Sequence, residues 1–313
     1  MKKLKFNKNR LEEKLRMIFP NSKIKNYEKF KTGITSSSTF KVNIINPKKS
    51  LAVKLSKLGN RKRIEKNNQI LNYLRKNKIP APKIFFSGVF DKKFITIMEN
   101  IEGDVASEMY KRNKKLRKKI LISSGRVLNQ IHSLKIPKFW SHQHHKIKGK
   151  KEWKKWTELR VKKYLQFFQK KFLEYHPFLK KELSYFLNII KNENIKFLPL
   201  HWDYHLSNIN VNNKGKIIGV FDFENAMKGH NLADIGQTAY WIKFYTKDYK
   251  NFEYFLRGYK KNFSKKELDI IKGYFLLHLL AVSRTIWRRQ PRLNWIIREH
   301  KKILDEIESS RMK

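Results

Sequence analysis

The sequence has no cysteine and few prolines and glycines. Its 313 residues include 8 Pro and 12 Gly. The absence of cysteine excludes disulfide bonds, catalysis by a thiolate and zinc sites with Cys ligands. No linker rich in Pro, Gly or Ser divides the chain, and no repeat of solenoid length occurs in it.

Long apolar runs are also missing. The most hydrophobic stretch, residues 274–282, is interrupted by His278, and it is far shorter than the roughly 20 apolar residues needed to cross a bilayer. The basic residues 1–14 are not followed by the apolar core of an export signal. We therefore expect no transmembrane segment and a cytoplasmic location.

Acidic residues are scarce. Asp and Glu together number 26 against 72 Lys and Arg, so the formal net charge is +46. A surface of this kind attracts nucleic acids and anionic membranes, and weak, non-specific contact with either is one expectation. The alternative is a compositional bias, because Lys is spread along the whole chain and scattered Lys usually forms a solvated face. The sequence leaves both open.

Hydrophobic patterns predict a small sheet in the first hundred residues. Residues 41–45 and 51–55 alternate on either side of a turn, which indicates an antiparallel hairpin. A helix at 61–77 follows, and two further strands are predicted at 83–88 and 94–98.

Helices dominate beyond Gly103. They are predicted near 115–133, 151–175, 178–193, 249–262, 265–290 and 295–310. A β island at 195–223 interrupts them, with a hairpin turn at 212–215. A sheet region followed by a helical region is α+β organisation, and we predict two domains, 1–98 and 99–313.

The most informative segment lies in the β island. His201, Asp203 and Asn208 follow the spacing H-x-D-x-x-x-x-N of a kinase catalytic loop, and a strand ends at Asp222 soon afterwards. Phosphoryl transfer depends on positioning and charge neutralisation. Asp203 is predicted as the base that His201 accompanies, and Asn208 and Asp222 are predicted as Mg²⁺ ligands. The alternative is that Asp and Asn are ordinary turn residues here.

The N-terminal region offers candidates for a nucleotide phosphate site. The small residues Gly33, Ser36 and Ser37 precede the first predicted strand and would let backbone N–H groups and hydroxyls approach phosphate oxygens. Lys54 lies in an apolar strand, where a charge is costly unless it is paired. Glu65, on the following helix, is its predicted partner. Lys54 as a solvated strand residue remains the alternative.

Taken together, these motifs resemble the aminoglycoside phosphotransferase and choline kinase superfamily. The loop from His201 to Asn208 is similar to that family's H-G-D-x-H-x-x-N, and residues 221–224 resemble its I-D-F-E. Residues 231–235 resemble its Y-D-L-A, and the likeness runs from about Tyr27 to Arg298. Trp202 differs from the family, which usually has Gly there.

The resemblance implies a two-lobed, protein-kinase-like fold, with a nucleotide-binding lobe at 1–98 and a helical lobe at 99–313 that carries the catalytic loop and the acceptor site. It implies that backbone groups around Met98, Glu99 and Ile101 bind adenine, and that Asp234 braces the catalytic loop. ATP, with GTP as an alternative, and Mg²⁺ are the implied cofactors.

The implied activity is transfer of the γ-phosphoryl group to a hydroxyl of a small molecule. A choline- or ethanolamine-type kinase is one alternative, and a non-catalytic nucleic-acid-binding protein on a kinase-like scaffold is another. The segment 283–292 contains several Arg residues and no acid, so we expect a neutral or anionic acceptor rather than a polycationic aminoglycoside.

Overall fold

The computed structural model describes residues 7–30, 37–141, 147–171, 173–289 and 294–309, and the fold is α+β, as predicted. Its elements in chain order are α1 Lys8–Ile18, β1 Lys23–Lys29, β2 Ser38–Ile45, β3 Lys49–Ser56, α2 Arg61–Lys76, β4 Ile84–Phe90, β5 Lys93–Glu99, β6 Asp104–Val105, α3 Ala106–Arg112, α4 Arg117–His132, α5 Lys150–Lys171, α6 His176–Asn192, β7 Phe197–Leu200, β8 Ile209–Val211, β9 Ile217–Val220, β10 Met227–His230, α7 Asn231–Thr246, α8 Asn251–Tyr259, α9 Lys265–Arg289 and α10 Asn294–Ser309.

The chain forms two compact units. The first contains residues 1–120, 137–143 and 207–225, and the second contains 121–136, 144–206 and 226–313. The predicted boundary at residues 98 and 99 divides the chain differently. The first unit also takes in the hairpin of β8 and β9, because β8 pairs with β6.

A five-stranded antiparallel sheet in the order β1-β2-β3-β5-β4 forms the centre of the first unit. The predicted hairpin is present as β2 and β3, in which Lys41 lies opposite Ala52. Alternate side chains of β2, including Phe40, Val42 and Ile44, are buried, as expected for a strand with one face on a core. The side chain of Asn7 caps α1, whose Leu11 and Leu15 are buried in the same cluster.

The second unit is mainly helical, and α7 and α9 lie at its core. Twelve of the 16 residues of α7 are buried. Gly236 allows the close approach of α9, because a Cβ at this position would lie 2.7 Å from the carbonyl oxygen of Ile271. The helix α7 was not among the predicted helices.

The helix α9 is the one described helix that is long and apolar enough to span a membrane. In its most apolar window, within Lys265–Trp287, 61% of the residues are buried inside the protein. Burial of this kind is typical of a core helix.

Buried histidines should make the second unit sensitive to acid. Burial lowers the pKa of His230 to about 3 and that of His300 to about 4. Both rings are neutral in the folded chain, whereas an unfolded His takes up a proton near pH 6.5. The unfolded state therefore binds more protons below that pH, and stability falls as the pH falls.

We expect the free energy of unfolding to drop by about 2 kcal/mol for each of these histidines between pH 6.5 and pH 4.5. Urea unfolding at the two pH values measures the drop. His300→Gln should reduce it, and His176→Gln, at the half-buried start of α6, is the control. An equal drop in the two variants would contradict the assignment.

Candidate active site

A tight hairpin brings Asn208 beside Asp222 in the first unit. Strands β8 and β9 are antiparallel, and Gly215 adopts a φ of 72° in the turn between them. At the open end of the hairpin, away from the turn, the N–H of Phe221 donates to the carbonyl oxygen of Asn208 over 2.9 Å. The two residues predicted as metal ligands are therefore held at adjacent places on neighbouring chain segments.

Asp222 has two unusual features. Its φ is 61°, in the left-handed region that costs energy for a residue with a side chain. Its Oδ1 is buried and has no hydrogen-bond partner among the described residues. A buried, unpartnered carboxylate oxygen is costly unless another group completes it.

The donors on this hairpin fit a magnesium ion. Carboxylate and amide oxygens are its preferred protein ligands, and it commonly binds through one or two carboxylates together with substrate phosphates and water. The described ranges contain no group of three or more His, Cys, Asp or Glu that could enclose a metal. His142, His144 and His145 lie outside those ranges.

The first half of the predicted catalytic loop, up to residue 206, lies in the second unit and is held by Asp234. This carboxylate is fully buried and accepts hydrogen bonds from the N–H of His201 over 2.7 Å and from that of Trp202 over 2.8 Å. The prediction that Asp234 braces the loop through backbone hydrogen bonds is confirmed.

Trp202 shows why glycine suits this place in the loop. Its φ is 63°, a backbone conformation that glycine adopts without strain. The indole ring packs against Trp153 and Trp156, with centroids 5.7 and 5.6 Å away. Packing of this kind offsets part of the strain.

A chain of polar side chains supports Asp234 from below. His132 contacts it through Nε2 at 3.2 Å and contacts the hydroxyl of Tyr259 through Nδ1 at 2.8 Å. Asn231 donates to the same hydroxyl over 3.0 Å. Burial raises the pKa of Tyr259 to about 12, so the hydroxyl keeps its proton. With all its members paired, such a network is rigid.

Asp203 is partly exposed, and the residues around it are fixed. Its side chain is 28% exposed, and its Oδ1 lies 3.6 Å from Nε2 of His205. The next residue, Tyr204, is fully buried and donates its hydroxyl proton to the carbonyl oxygen of Ser124 over 2.8 Å. An exposed carboxylate on a fixed backbone can receive a proton from a molecule outside the protein.

His201, the other residue predicted as catalytic, is fully buried. Its ring lies edge-on to Tyr204, with centroids 5.4 Å apart. Burial prevents direct contact with a substrate and gives His201 a supporting place beneath the loop.

Lys54 is paired with a carboxylate, as its apolar strand requires, but the partner is Glu224. The two side chains are 16% and 11% exposed and form a direct ion pair. The carboxylate of Glu224 also pairs with Nε of Arg63 at 3.0 Å, and its backbone carbonyl accepts from Nζ of Lys66 over 3.0 Å. Burial lowers the pKa of Lys66 to about 8.

The predicted pairing of Glu65 with Lys54 is wrong. Glu65 is half-exposed and accepts from Arg61 on the same helix over 2.7 Å. The reason is the phase of α2, because Glu65 is rotated by about 200° from buried Asn67, two residues further on. Asn67 occupies the inner side, where its Oδ1 accepts from the N–H of Phe223 over 2.9 Å.

The other nucleotide-site candidates are only partly described. The hydroxyl of Ser37 lies 2.7 Å from that of Ser56, at the end of the strand that carries Lys54. Gly33 and Ser36 lie outside the described residues.

The predicted adenine-binding segment begins at the end of β5. Met98 pairs with Ala52 in the sheet, and the N–H of Glu99 donates to the carbonyl oxygen of Lys83 over 2.8 Å. A cavity of about 310 Å³ borders Glu99 and Ile101. The N–H of Glu99 is thus already engaged, and the carbonyl oxygen of Ile101 accepts from Nδ2 of Asn210 over 3.3 Å.

Comparison with solved structures identifies the fold. The chain is similar to a GDP complex of an aminoglycoside 2′-phosphotransferase mutant, with a TM-score of 0.72 at 11% sequence identity. The alignment covers 98% of this chain and 99% of that one. A thermostable aminoglycoside phosphotransferase APH(4)-Ia bound to ADP and hygromycin B gives a TM-score of 0.68 at 13% identity, over 94% and 98% of the chains. A putative fructosamine-3-kinase from Haemophilus somnus gives 0.63 at 17% identity, over 96% and 97%.

These likenesses establish the two-lobed, protein-kinase-like fold that the resemblance implied. The sequence profile of the phosphotransferase enzyme family (APH) matches residues 28–262, about three quarters of the chain, and the chain belongs to this family. No curated protein sequence matches it significantly.

Proposed function

We propose that this phosphotransferase transfers the γ-phosphoryl group of ATP, or of GTP, to a hydroxyl group of a small molecule with the help of Mg²⁺. The observation that carries the proposal is the buried Oδ1 of Asp222, which has no partner in the described part of the chain, on a residue held in a left-handed conformation next to Asn208. Strain and an unpaired carboxylate oxygen are tolerated where a ligand completes the site.

Each residue has a defined part in the proposed reaction. The acceptor oxygen forms a bond to the γ-phosphorus, the bond from that phosphorus to the bridging oxygen breaks, and its electron pair leaves with ADP. Asp203 receives the hydroxyl proton. Mg²⁺, held by Asn208 and Asp222, would neutralise the phosphate charges, and Lys54 would hold the α- and β-phosphates.

The ligands of the structural neighbours support nucleotide use. One neighbour is a complex with ADP and hygromycin B, and another is a complex with GDP. Since these neighbours share 11–13% identity with the chain, they leave its nucleotide and acceptor as proposals.

The proposal is tested by following ADP or GDP release from the purified protein, with and without Mg²⁺, against a panel of hydroxyl compounds. We expect Mg²⁺-dependent transfer to at least one acceptor and slow hydrolysis without any. Absence of both reactions with either nucleotide would reject the proposed function.

Glu224, not Glu65, should affect nucleotide use. We expect Glu224→Gln to raise KM for ATP by about tenfold, because a neutral amide no longer fixes Lys54 and leaves it in an apolar strand without an anion. Glu65→Gln makes the same chemical change on the half-exposed side of α2 and is the matched control, with KM expected to stay within about twofold. Steady-state kinetics measure both, and a larger effect at Glu65 would contradict the ion pair seen here.

A further inference from the structure

A cluster of polar groups with unsatisfied atoms lies beside His205, the neighbour of Asp203 in the second unit. Gln237 and Trp241 are four residues apart on α7, so they share one face of the helix, and His278 faces them from α9. Three of their buried atoms have no hydrogen-bond partner among the described residues: Oε1 of Gln237, Nε1 of Trp241 and Nε2 of His278. Gln237 is only 6% exposed.

These atoms form one acceptor and two donors. Nε2 of Gln237 donates to Nδ1 of His278 over 3.0 Å, and burial lowers the pKa of His278 well below its ordinary value. The ring is therefore neutral and carries its proton on Nε2, which is a free donor like the indole N–H of Trp241. If the amide of Gln237 is turned around, its oxygen accepts from Nδ1 of His278. The unpaired donor is then on Gln237 and the unpaired acceptor is Nε2 of His278, so the pair still offers one donor and one acceptor.

A hydroxyl group matches this set, because it can donate to Gln237 while it accepts from Trp241 or His278. An ammonium group does not match this set, because it has only N–H donors and would face the two N–H donors of Trp241 and His278. The charge of Arg160 lowers the pKa of His278 further, and a guanidinium is positively charged at neutral pH. A bound cation would thus be repelled as well as poorly bonded.

Aromatic rings connect this cluster to the candidate base. The ring of His205, whose Nε2 lies 3.6 Å from Asp203, is 4.9 Å from that of Trp241. Trp241 stacks on Tyr245 at 5.8 Å and lies 5.8 Å from His278. These rings are half-buried, and such faces pack well against the C–H groups of a sugar-like ring.

We propose that Gln237, Trp241 and His278 bind a second hydroxyl group of a neutral, polyhydroxylated acceptor whose first hydroxyl is presented to Asp203. The proposal rests on the proposed phosphotransferase function and assigns the acceptor class of the same site. Polycationic aminoglycosides and quaternary ammonium alcohols are excluded from that class.

The test compares neutral and cationic acceptors at equal concentration with ATP and Mg²⁺. D-Ribose, D-glucose and maltotriose are the neutral compounds, and kanamycin A and choline are the cations. We expect the highest kcat/KM with a neutral compound. Preference for either cation, or ATP hydrolysis without transfer to any neutral compound, would overturn the proposal and leave the phosphotransferase function standing.

Gln237→Met tests the subsite itself. It nearly keeps the side-chain volume and removes the hydrogen-bonding groups, so KM for the best neutral acceptor should rise on the order of tenfold. Hydrolysis of ATP without an acceptor should stay within about twofold, because it reports the nucleotide site and the fold. Gln169→Met, the same change at an exposed position of α5, is the control. An unchanged acceptor KM in Gln237→Met would overturn the proposal. If the wild-type protein shows neither transfer nor hydrolysis, the proposed function itself would be rejected.

Discussion

Asp222→Ala is expected to lower kcat/KM for phosphoryl transfer by about a thousandfold or more. The substitution removes the buried carboxylate whose Oδ1 has no hydrogen-bond partner within the described ranges, and with it the proposed ligand that places Mg²⁺ against the nucleotide phosphates. Stability should not fall with activity, because the wild-type protein carries the cost of that unpaired oxygen. Steady-state kinetics and urea unfolding measure the two effects separately.

Asp91→Ala provides a matched control for Asp222→Ala. Asp91 also has a left-handed backbone, with a φ of 48°, but it lies in the turn between β4 and β5, where its carboxylate pairs with Arg10 at 3.0 Å. Both substitutions place alanine at a positive φ, and only one removes the proposed metal ligand. Wild-type turnover in Asp222→Ala would remove Asp222 from the site.

Local signals were enough to predict two of the hairpins on which the candidate site depends. Alternating residues on either side of a turn predicted the hairpin of β2 and β3, and the turn at 212–215 predicted the one that joins β8 and β9. In both cases the pattern and the turn chemistry lie within about 15 residues, where sequence constrains structure most directly.

The helix α7 gave no such signal. Its residues are buried on nearly every side, so apolar and small residues do not recur with a helical period. The strand β1 was not predicted either, for the opposite reason. Only Ile24 of its seven residues is buried, and as an edge strand it pairs with β2 alone. Neither burial on all sides nor exposure on both faces produces a periodic pattern.

The partner of Lys54 depends on a long-range contact. Glu224 follows Lys54 by 170 residues, and nothing in the local pattern joins the two. One signal was present in α2 itself. Asn67 and Asn68 lie on the same side as the buried Leu71 and Leu74, whereas Glu65 lies nearly opposite. A full angular projection of the helix would have excluded Glu65.

Asp234→Ala should lower both stability and turnover. Alanine leaves the buried N–H groups of His201 and Trp202, and Nε2 of His132, without the acceptor they share. Unfolding experiments should show a loss of about 3–5 kcal/mol, as when one partner of a buried polar network is removed. The kcat should fall by about a hundredfold, because Asp203 follows directly on the strained backbone of Trp202 that Asp234 fixes.

Two further variants separate positioning from general destabilisation. Asp234→Asn keeps one acceptor oxygen and turns an amide toward the remaining N–H groups, so its loss of stability and kcat should lie between wild type and Asp234→Ala. Asp269→Ala is the control. Asp269 lies on the outside of α9, where its carboxylate accepts from the hydroxyl of Tyr185 over 3.1 Å, and its removal should change kcat by less than about twofold. If Asp234→Ala were destabilised but kept the kcat of the wild type at a temperature where it is folded, the carboxylate would stabilise the fold without positioning Asp203.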